Sequence, residues 1–198
     1  MFILFNRSLY HHISGAKSII EQTQVKDILT SVPALLKKQT PVQCMAGQQW
    51  MWDKVRFEIL SPTQGLFKDD NNNSCVLKVS SSHGSVLLTG DIEEPAEEWL
   101  INNAATQLDS DVLIAPHHGS KTSSTLSFLK QVEPKIIIIP AGYKNRFSFP
   151  HQEVLERYGK MEIPWMNTAN KGALEVKFEN YSFNIKSARE ERGKYWNK

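Results

Sequence analysis

Two short apolar segments of this chain end in residue types that bind cations. Leu87-Leu88-Thr89 runs into Gly90-Asp91, and Val112-Leu113-Ile114-Ala115 runs through Pro116 into His117-His118-Gly119-Ser120. A carboxylate and two imidazoles are donors that suit a divalent ion such as Zn²⁺ or Mn²⁺. In a layered α/β architecture, strand ends meet at the rim of the sheet, where sites are built. The chemistry such a site supports is hydrolysis by metal-activated water. Alone, the first motif is a common turn and the second a polar loop. Their order, each after a strand, is what points to a site.

The elements that must hold these residues follow from the same pattern. Residues 75–79 and 85–88 alternate around Ser82-His83-Gly84, which predicts a hairpin leading to Asp91. His83, in that turn, reads as solvated. Residues 95–105 read as a helix entered through Glu93 and Glu94, acids suited to the positive end of a helix dipole. Residues 112–115 read as a strand, 123–131 as a helix, 135–139 as a buried strand and 151–158 as a helix after Pro150. Upstream, residues 2–5 and 26–29 read as strands. Ser14 is a candidate N-cap for a helix through Ile20, and residues 32–38 form a short helix with Pro33 in its first turn. Residues 48–53 and 55–60 alternate as strands. Trp50 and Trp52 share one face there, a pattern that fits sheet packing better than base stacking. Residues 68–73 read as a polar loop, and 173–178 with 181–185 as a closing hairpin.

Hairpins come first, and strands alternating with helices follow. That order predicts an α/β (α+β) fold with two mixed sheets and helices outside, a four-layer αββα sandwich. One domain over residues 1–186 is expected, with a charged tail from 187 to 198. The chain has 198 residues, 40% hydrophobic and 22% charged, with a net charge of +2. This balance neither demands nor excludes a polyanionic partner. Cys44 and Cys75 lack the CxxC spacing of a metal or redox site and read as two buried thiols rather than a disulfide. No apolar run approaches the ~18 residues of a membrane span. Residues 1–7 place apolar before basic residues, the reverse of a secretion signal, so a free chain of this kind is expected in the cytoplasm.

Three stretches together resemble a known family. They are Ser74-Cys75-Val76-Leu77-Lys78-Val79 leading to the Asp91 motif, residues 111–124 around His117-His118, and residues 134–158 from Pro134 to Tyr158. They resemble the C-terminal metallo-β-lactamase-like domain of ComEC, the inner-membrane DNA-uptake protein of naturally competent bacteria. The resemblance covers about residues 13–186. It implies a metal-dependent phosphodiesterase, a nuclease acting on DNA, single-stranded in the parent protein, during uptake. Asp91 and His117 match metal ligands, His11 and His12 fall in the first metal motif, and Asp91 with His118 would carry catalysis. Ser120, Lys121, Asn145, Arg146 and His151 match positions near substrate phosphate. The channel-forming part of the parent protein has no counterpart in this chain.

The chain departs from that pattern in two motifs. The first metal motif of the family, S-H-x-D-x-D-H, corresponds to Asn6-Arg7-Ser8-Leu9-Tyr10-His11-His12, in which only His12 is kept. Leu9 cannot ligate, and Arg7 puts a fixed positive charge beside the expected cation. In the late G-H-P-H motif, Phe149 stands in place of the first histidine. With these donors lost, one divalent ion or none is expected rather than a complete two-metal site. The family's strands before this loop also have no match, which reads as an N-terminal truncation. Three functions follow: an impaired ComEC-like nuclease, a catalytically inactive remnant of it, or another hydrolase of the same superfamily.

Overall fold

Short apolar runs, and alternation in the closing hairpin, mark the observed strands, and the computed structural model describes residues 2–5, 16–25, 27–36, 40–63, 65–69 and 71–191. His11, His12, Arg7, Leu9 and Ser14 lie outside them. β1 (Phe2–Phe5), β2 (Asp27–Thr30) and β3 (Val42–Gln43) pair in parallel as a small sheet, with α1 (Ala16–Gln22) between β1 and β2. β4 (Gln49–Trp52), β5 (Val55–Ser61), β6 (Val76–Ser81) and β7 (Gly84–Leu88) form an antiparallel meander. β8 (Val112–Ile114), β9 (Ile136–Ile139) and β10 (Trp165–Asn167) then add in parallel to give a seven-stranded sheet.

Three helices make the crossovers between the parallel strands. α2 (Glu94–Leu108) joins β7 to β8, α3 (Leu126–Val132) joins β8 to β9, and α4 (Gln152–Lys160) joins β9 to β10. Because β7 to β10 run the same way, their C-terminal ends all open at one edge of the sheet. Asp91, His117-His118 and the segment after Ile139 leave the sheet there.

The two faces of this sheet carry different cores. On one face, Leu87, Leu113, Ile137 and Ile139 pack against Leu100, Phe128, Leu129, Val154 and Tyr158 of the three helices. The opposite face is covered by two units. Ile59 and Leu77 meet Leu29 of the small sheet and the Cys44 side chain. Val112, Ile136 and Ile138 meet Val176, Phe178, Phe183 and Ile185 of the hairpin β11 (Leu174–Glu179) and β12 (Ser182–Ser187). Ile28, on the other side of the small sheet, packs with Ile20 of α1. Helices, large sheet, small sheet with hairpin, and α1 thus form the four layers predicted.

Some details differ from the sequence reading. Cys44 and Cys75 are buried as expected, but they are joined in a disulfide, their Cα atoms 6.0 Å apart across 31 positions. Spacing along the chain carried no sign of this, because the pairing comes from stacking the small sheet on the large one. β10 went unseen, being only three residues with no period to read. Order continues past Ser187: α5 (Thr168–Lys171) and α6 (Ala188–Glu191) meet where Arg189 donates to the Ala169 carbonyl (2.6 Å), and Ser187 Oγ donates to the Lys171 carbonyl (2.7 Å). Trp50 stacks on Phe57 at 5.1 Å, whereas Trp52 on the same strand is exposed. Among the described residues no helix is long and apolar enough to cross a membrane.

Candidate functional site

At the C-terminal edge of the sheet, two histidines each face a different acid. Asp91 is buried, and its amide donates to Ser74 Oγ (3.1 Å). Its Oδ1 lies 3.3 Å from His118 Nε2. The other ring nitrogen of His118, Nδ1, is 2.8 Å from the Pro140 carbonyl. A carbonyl can only accept, so Nδ1 is the donor and Nε2 is presented to Asp91. This is how an imidazole is oriented when its second nitrogen serves a metal or an acid. His117 points elsewhere, its Nδ1 3.1 Å from Glu93 Oε1. Glu93 is fixed in turn by Asn71 Nδ2 (3.1 Å) and Thr122 Oγ1 (2.8 Å).

The divergence of the two rings has a backbone cause. His117 (φ 46°) and His118 (φ 55°) are consecutive left-handed residues within the turn Pro116–Gly119. Side chains with a Cβ adopt that region at a cost of order 1–3 kcal/mol each. The turn is held there by the His117 amide donating to the Gly90 carbonyl (3.0 Å) and the Ser120 amide donating to the His117 carbonyl (2.9 Å).

The tract read as a polar loop turns out to organise this edge. Asn72 is buried, and its Oδ1 accepts from the amides of Glu93 (3.0 Å) and Ala96 (3.2 Å), capping α2 from a distance. Asp69 holds Asn72 in place through both the backbone amide and the side-chain amide. Asn71 and Ser74 reach Glu93 and Asp91, as above. Neither Glu93 nor this tract was picked out as functional from sequence. The one available signal was a run of short amides just before a strand leading to the Asp91 turn.

A second network locks the chain after the histidines. Glu97 of α2 is fully buried, and its carboxylate accepts from the Ser124 amide and the Thr125 amide (2.9 Å). Burial pushes its carboxyl above the ordinary range against the lowering effect of these donors and of nearby Arg157. Arg157 donates to the carbonyls of Ser123 (2.6 Å) and Lys121 (3.1 Å), and Tyr158 Oη pairs with Ser124 Oγ (2.9 Å). Gly119 (φ +82°) lets this strand of chain pass Pro150: a Cβ there would lie 2.6 Å from Pro150 Cβ.

The remaining predicted residues gather beside this edge. Ser120 is buried and pairs with Thr122 Oγ1 (3.0 Å). The Lys121 amide donates to His151 Nδ1 (3.0 Å), and the His151 amide donates to the Gly119 carbonyl (3.0 Å), so His151 latches two loops together. Asn145 faces its own loop. Its Oδ1 accepts from the amides of Phe147 (3.2 Å) and Phe149 (2.9 Å), and its Nδ2 donates to the Phe149 carbonyl (2.7 Å). Arg146 and Lys121 are exposed. Phe149, where the resemblance leads one to expect a histidine, has its ring 5.6 Å from that of His117, 6.3 Å from that of His118 and 5.1 Å from that of His151.

The profile of the metallo-β-lactamase superfamily matches residues 10–142, two thirds of the chain, including both strand-end motifs. The chain belongs to the metallo-β-lactamase superfamily. Recombination protein 2 of Haemophilus influenzae is 36% identical over 178 residues, 90% of this chain and 22% of that protein. Competence protein ComA of Neisseria gonorrhoeae is 39% identical over 130 residues, 66% of this chain and 19% of that protein. The uncharacterized protein YcaI of Escherichia coli strain K12 is 37% identical over 148 residues, 75% of this chain and 20% of that protein. The chain spans about a fifth of the length of these curated relatives. These similarities agree with a ComEC-like metallo-β-lactamase domain. Among solved structures, the metallo-β-lactamase fold protein YhfI of Bacillus subtilis superposes with a TM-score of 0.54 at 11% identity, covering 84% of this chain and 73% of that one. Tm1679, described as a metal-dependent hydrolase of the superfamily, gives 0.53 at 12%, covering 83% of this chain and 75% of that one. At such identities the likeness is one of fold.

The superfamily implies a divalent ion. The donors at this edge are of the right kind, since an imidazole with its Nδ1 already tied and a buried carboxylate are what Zn²⁺ or Mn²⁺ takes. Their number falls short: among the described residues, no group of three or more His, Cys, Asp or Glu side chains is placed to hold one ion. A Zn²⁺ catalytic site uses three protein ligands. His11 and His12, which the resemblance sets in the first metal motif, lie outside the described residues.

Proposed function

We propose that this chain is a ComEC-like domain that acts on DNA as a metal-dependent phosphodiesterase, weakened by the loss of first-motif ligands. The observation that carries the reading is the Asp91–His118 pair at 3.3 Å, with His118 Nδ1 tied to the Pro140 carbonyl. The Asp91–His118 contact favours His118 over the expected His117 as the histidine that, with Asp91 and His11 or His12, would hold a single Zn²⁺ or Mn²⁺. Such an ion, when bound, supplies Lewis-acid activation of water and of the phosphoryl oxygen. The protein's own part is orientation. Ser74 anchors Asp91, Pro140 sets the His118 tautomer, and Glu93 turns His117 away from Asp91. Exposed Lys121 and Arg146 flank this edge as phosphate partners. The competence relatives support DNA as the substrate class and competence-related uptake as the setting.

A second reading, a non-catalytic remnant, is favoured by one feature: Phe149 packs beside both histidine rings where the family has a histidine. Metal content after incubation with Mn²⁺ or Zn²⁺, paired with DNA cleavage, separates the two. The nuclease reading expects bound metal approaching one ion per chain and slow cleavage that Asp91→Ala abolishes. Folded protein with neither metal nor cleavage would establish the remnant.

A further inference from the structure

The residue that replaces the lost histidine belongs to a ladder of rings that runs from the histidines out to solvent. Phe149 stacks on His118, with an interplanar angle of 28° at 6.3 Å, and on Phe147, at 20° and 5.4 Å. Phe147 is 49% exposed, and Arg146 lies over its ring at 4.7 Å. Tyr143, 66% exposed, carries Lys144 over its ring at 5.4 Å in the same loop. Single exposed rings are common on protein surfaces, but rings grouped in one loop mark a place where a partner sits. The backbone under two of these rings is tied down, because Asn145 bonds the main chain of both Phe147 and Phe149.

Exposed aromatic faces with cations lying on them are the elements of a base-stacking site. The rings meet nucleobase faces, and the cations move onto the phosphates between them. Paired bases present only their edges, so such a ladder selects unpaired nucleotides. We propose that Tyr143 and Phe147, the latter backed by Phe149, stack unpaired nucleobases and lead a single strand towards Asp91 and His118. An incoming base takes the place of the Arg146 guanidinium on Phe147, and Arg146 then pairs with a backbone phosphate. The proposal rests on the nucleic-acid reading of this site, but it does not require cleavage.

The test is binding of a fluorescein-labelled dT12 and of a 12-base-pair duplex to the full chain in EDTA, read by fluorescence anisotropy. EDTA keeps the measurement independent of metal and of hydrolysis. Phe147→Ala should weaken dT12 binding by about five- to 150-fold, the range for losing one base–aromatic stack. Phe147→Trp should restore it, and the duplex should bind more weakly than dT12. An oligonucleotide with 2-aminopurine should be quenched by wild type and not by Phe147→Ala. Circular dichroism melting confirms that the exposed substitution leaves the fold intact. Equal affinity of wild type and Phe147→Ala for dT12 overturns the ladder, as does failure of wild type to bind dT12. Either result leaves the nuclease reading to its own metal and cleavage assay. Conversely, Phe147-dependent binding in EDTA, together with no cleavage in the separate Mn²⁺ or Zn²⁺ assay, supports the ladder and refutes the nuclease.

Discussion

Reducing the Cys44–Cys75 bond should destabilise the fold by a predictable amount. The bond closes a loop across 31 positions and ties the end of β3 to the start of β6. In the chain-entropy treatment, a loop of that length removes about 12 cal/mol/K from the unfolded ensemble, or about 3.7 kcal/mol at 25 °C. Both sulfurs sit among Leu29, Ile59 and Leu77, where free thiols would still pack as small apolar groups. Little native-state gain or loss is therefore expected on reduction, and the chain-entropy figure should dominate. Urea unfolding with and without a phosphine reductant should show a drop of about 3–4 kcal/mol, roughly 500-fold in the folding constant. The Cys44→Ala/Cys75→Ala variant should fall at least as far and be insensitive to reductant. Two reactive thiols in oxidised protein unfolded in urea would show that the bond does not form. A drop under about 1 kcal/mol would refute the loop-entropy argument and point to structure persisting in the unfolded chain.

Three further outcomes are expected. Gly119→Ala must place a Cβ 2.6 Å from Pro150 Cβ and 3.1 Å from Pro150 Cα at φ +82°, so thermal melting should show a loss of about 2–4 kcal/mol. For Glu97, burial raises the folded carboxyl above its ordinary value of 4.5. Its contribution to stability is therefore greatest below that value and is lost as pH rises through the folded pKa. Urea titrations at pH 5 and pH 8 should find the stability gap between wild type and Glu97→Gln narrower at pH 8, and a gap that widens with pH would contradict the assignment. Asn145→Ala should leave global stability within about 1 kcal/mol, because the loop is exposed, yet speed hydrogen exchange of the Phe147 and Phe149 amides.

The strand-end positions of Asp91 and His117-His118 were legible because each follows an apolar run, and the sheet does order those runs side by side. The seven-stranded sheet was legible for the same reason, with Ile136–Ile139 buried throughout. The pairing of donors was not. Two left-handed residues send the histidines to separate acids, and no pattern in the letters H-H-G-S encodes φ. Glu93 reads as an ordinary helix-entry acid, and only the return of the chain brings His117 to it. Asn72 bonds to amides more than twenty positions away, and such long-range caps leave no local signature. The disulfide escaped for a similar reason, since sheet stacking and not spacing brings the sulfurs together.

The placement of the chemistry relative to the core has a consequence for how such a domain changes over generations. The helix-side core lies beneath Asp91, His117, His118 and Glu93, and none of the four belongs to it. His117 and His118 even sit in backbone conformations that oppose folding. Substitutions at the partly exposed His117 and His118 therefore cost the fold less than those at Leu113 or Ile137, while a change at buried Asp91 leaves polar partners unpaired. A chain of this kind can exchange side chains at the rim and keep the apolar layers that fold it. Phe149, its ring 5.6 Å from that of His117 and 6.3 Å from that of His118, already sets a large apolar group among the polar ones, and a rim that accepts such a neighbour is one whose chemistry can be rewritten while the layers below stay as they are.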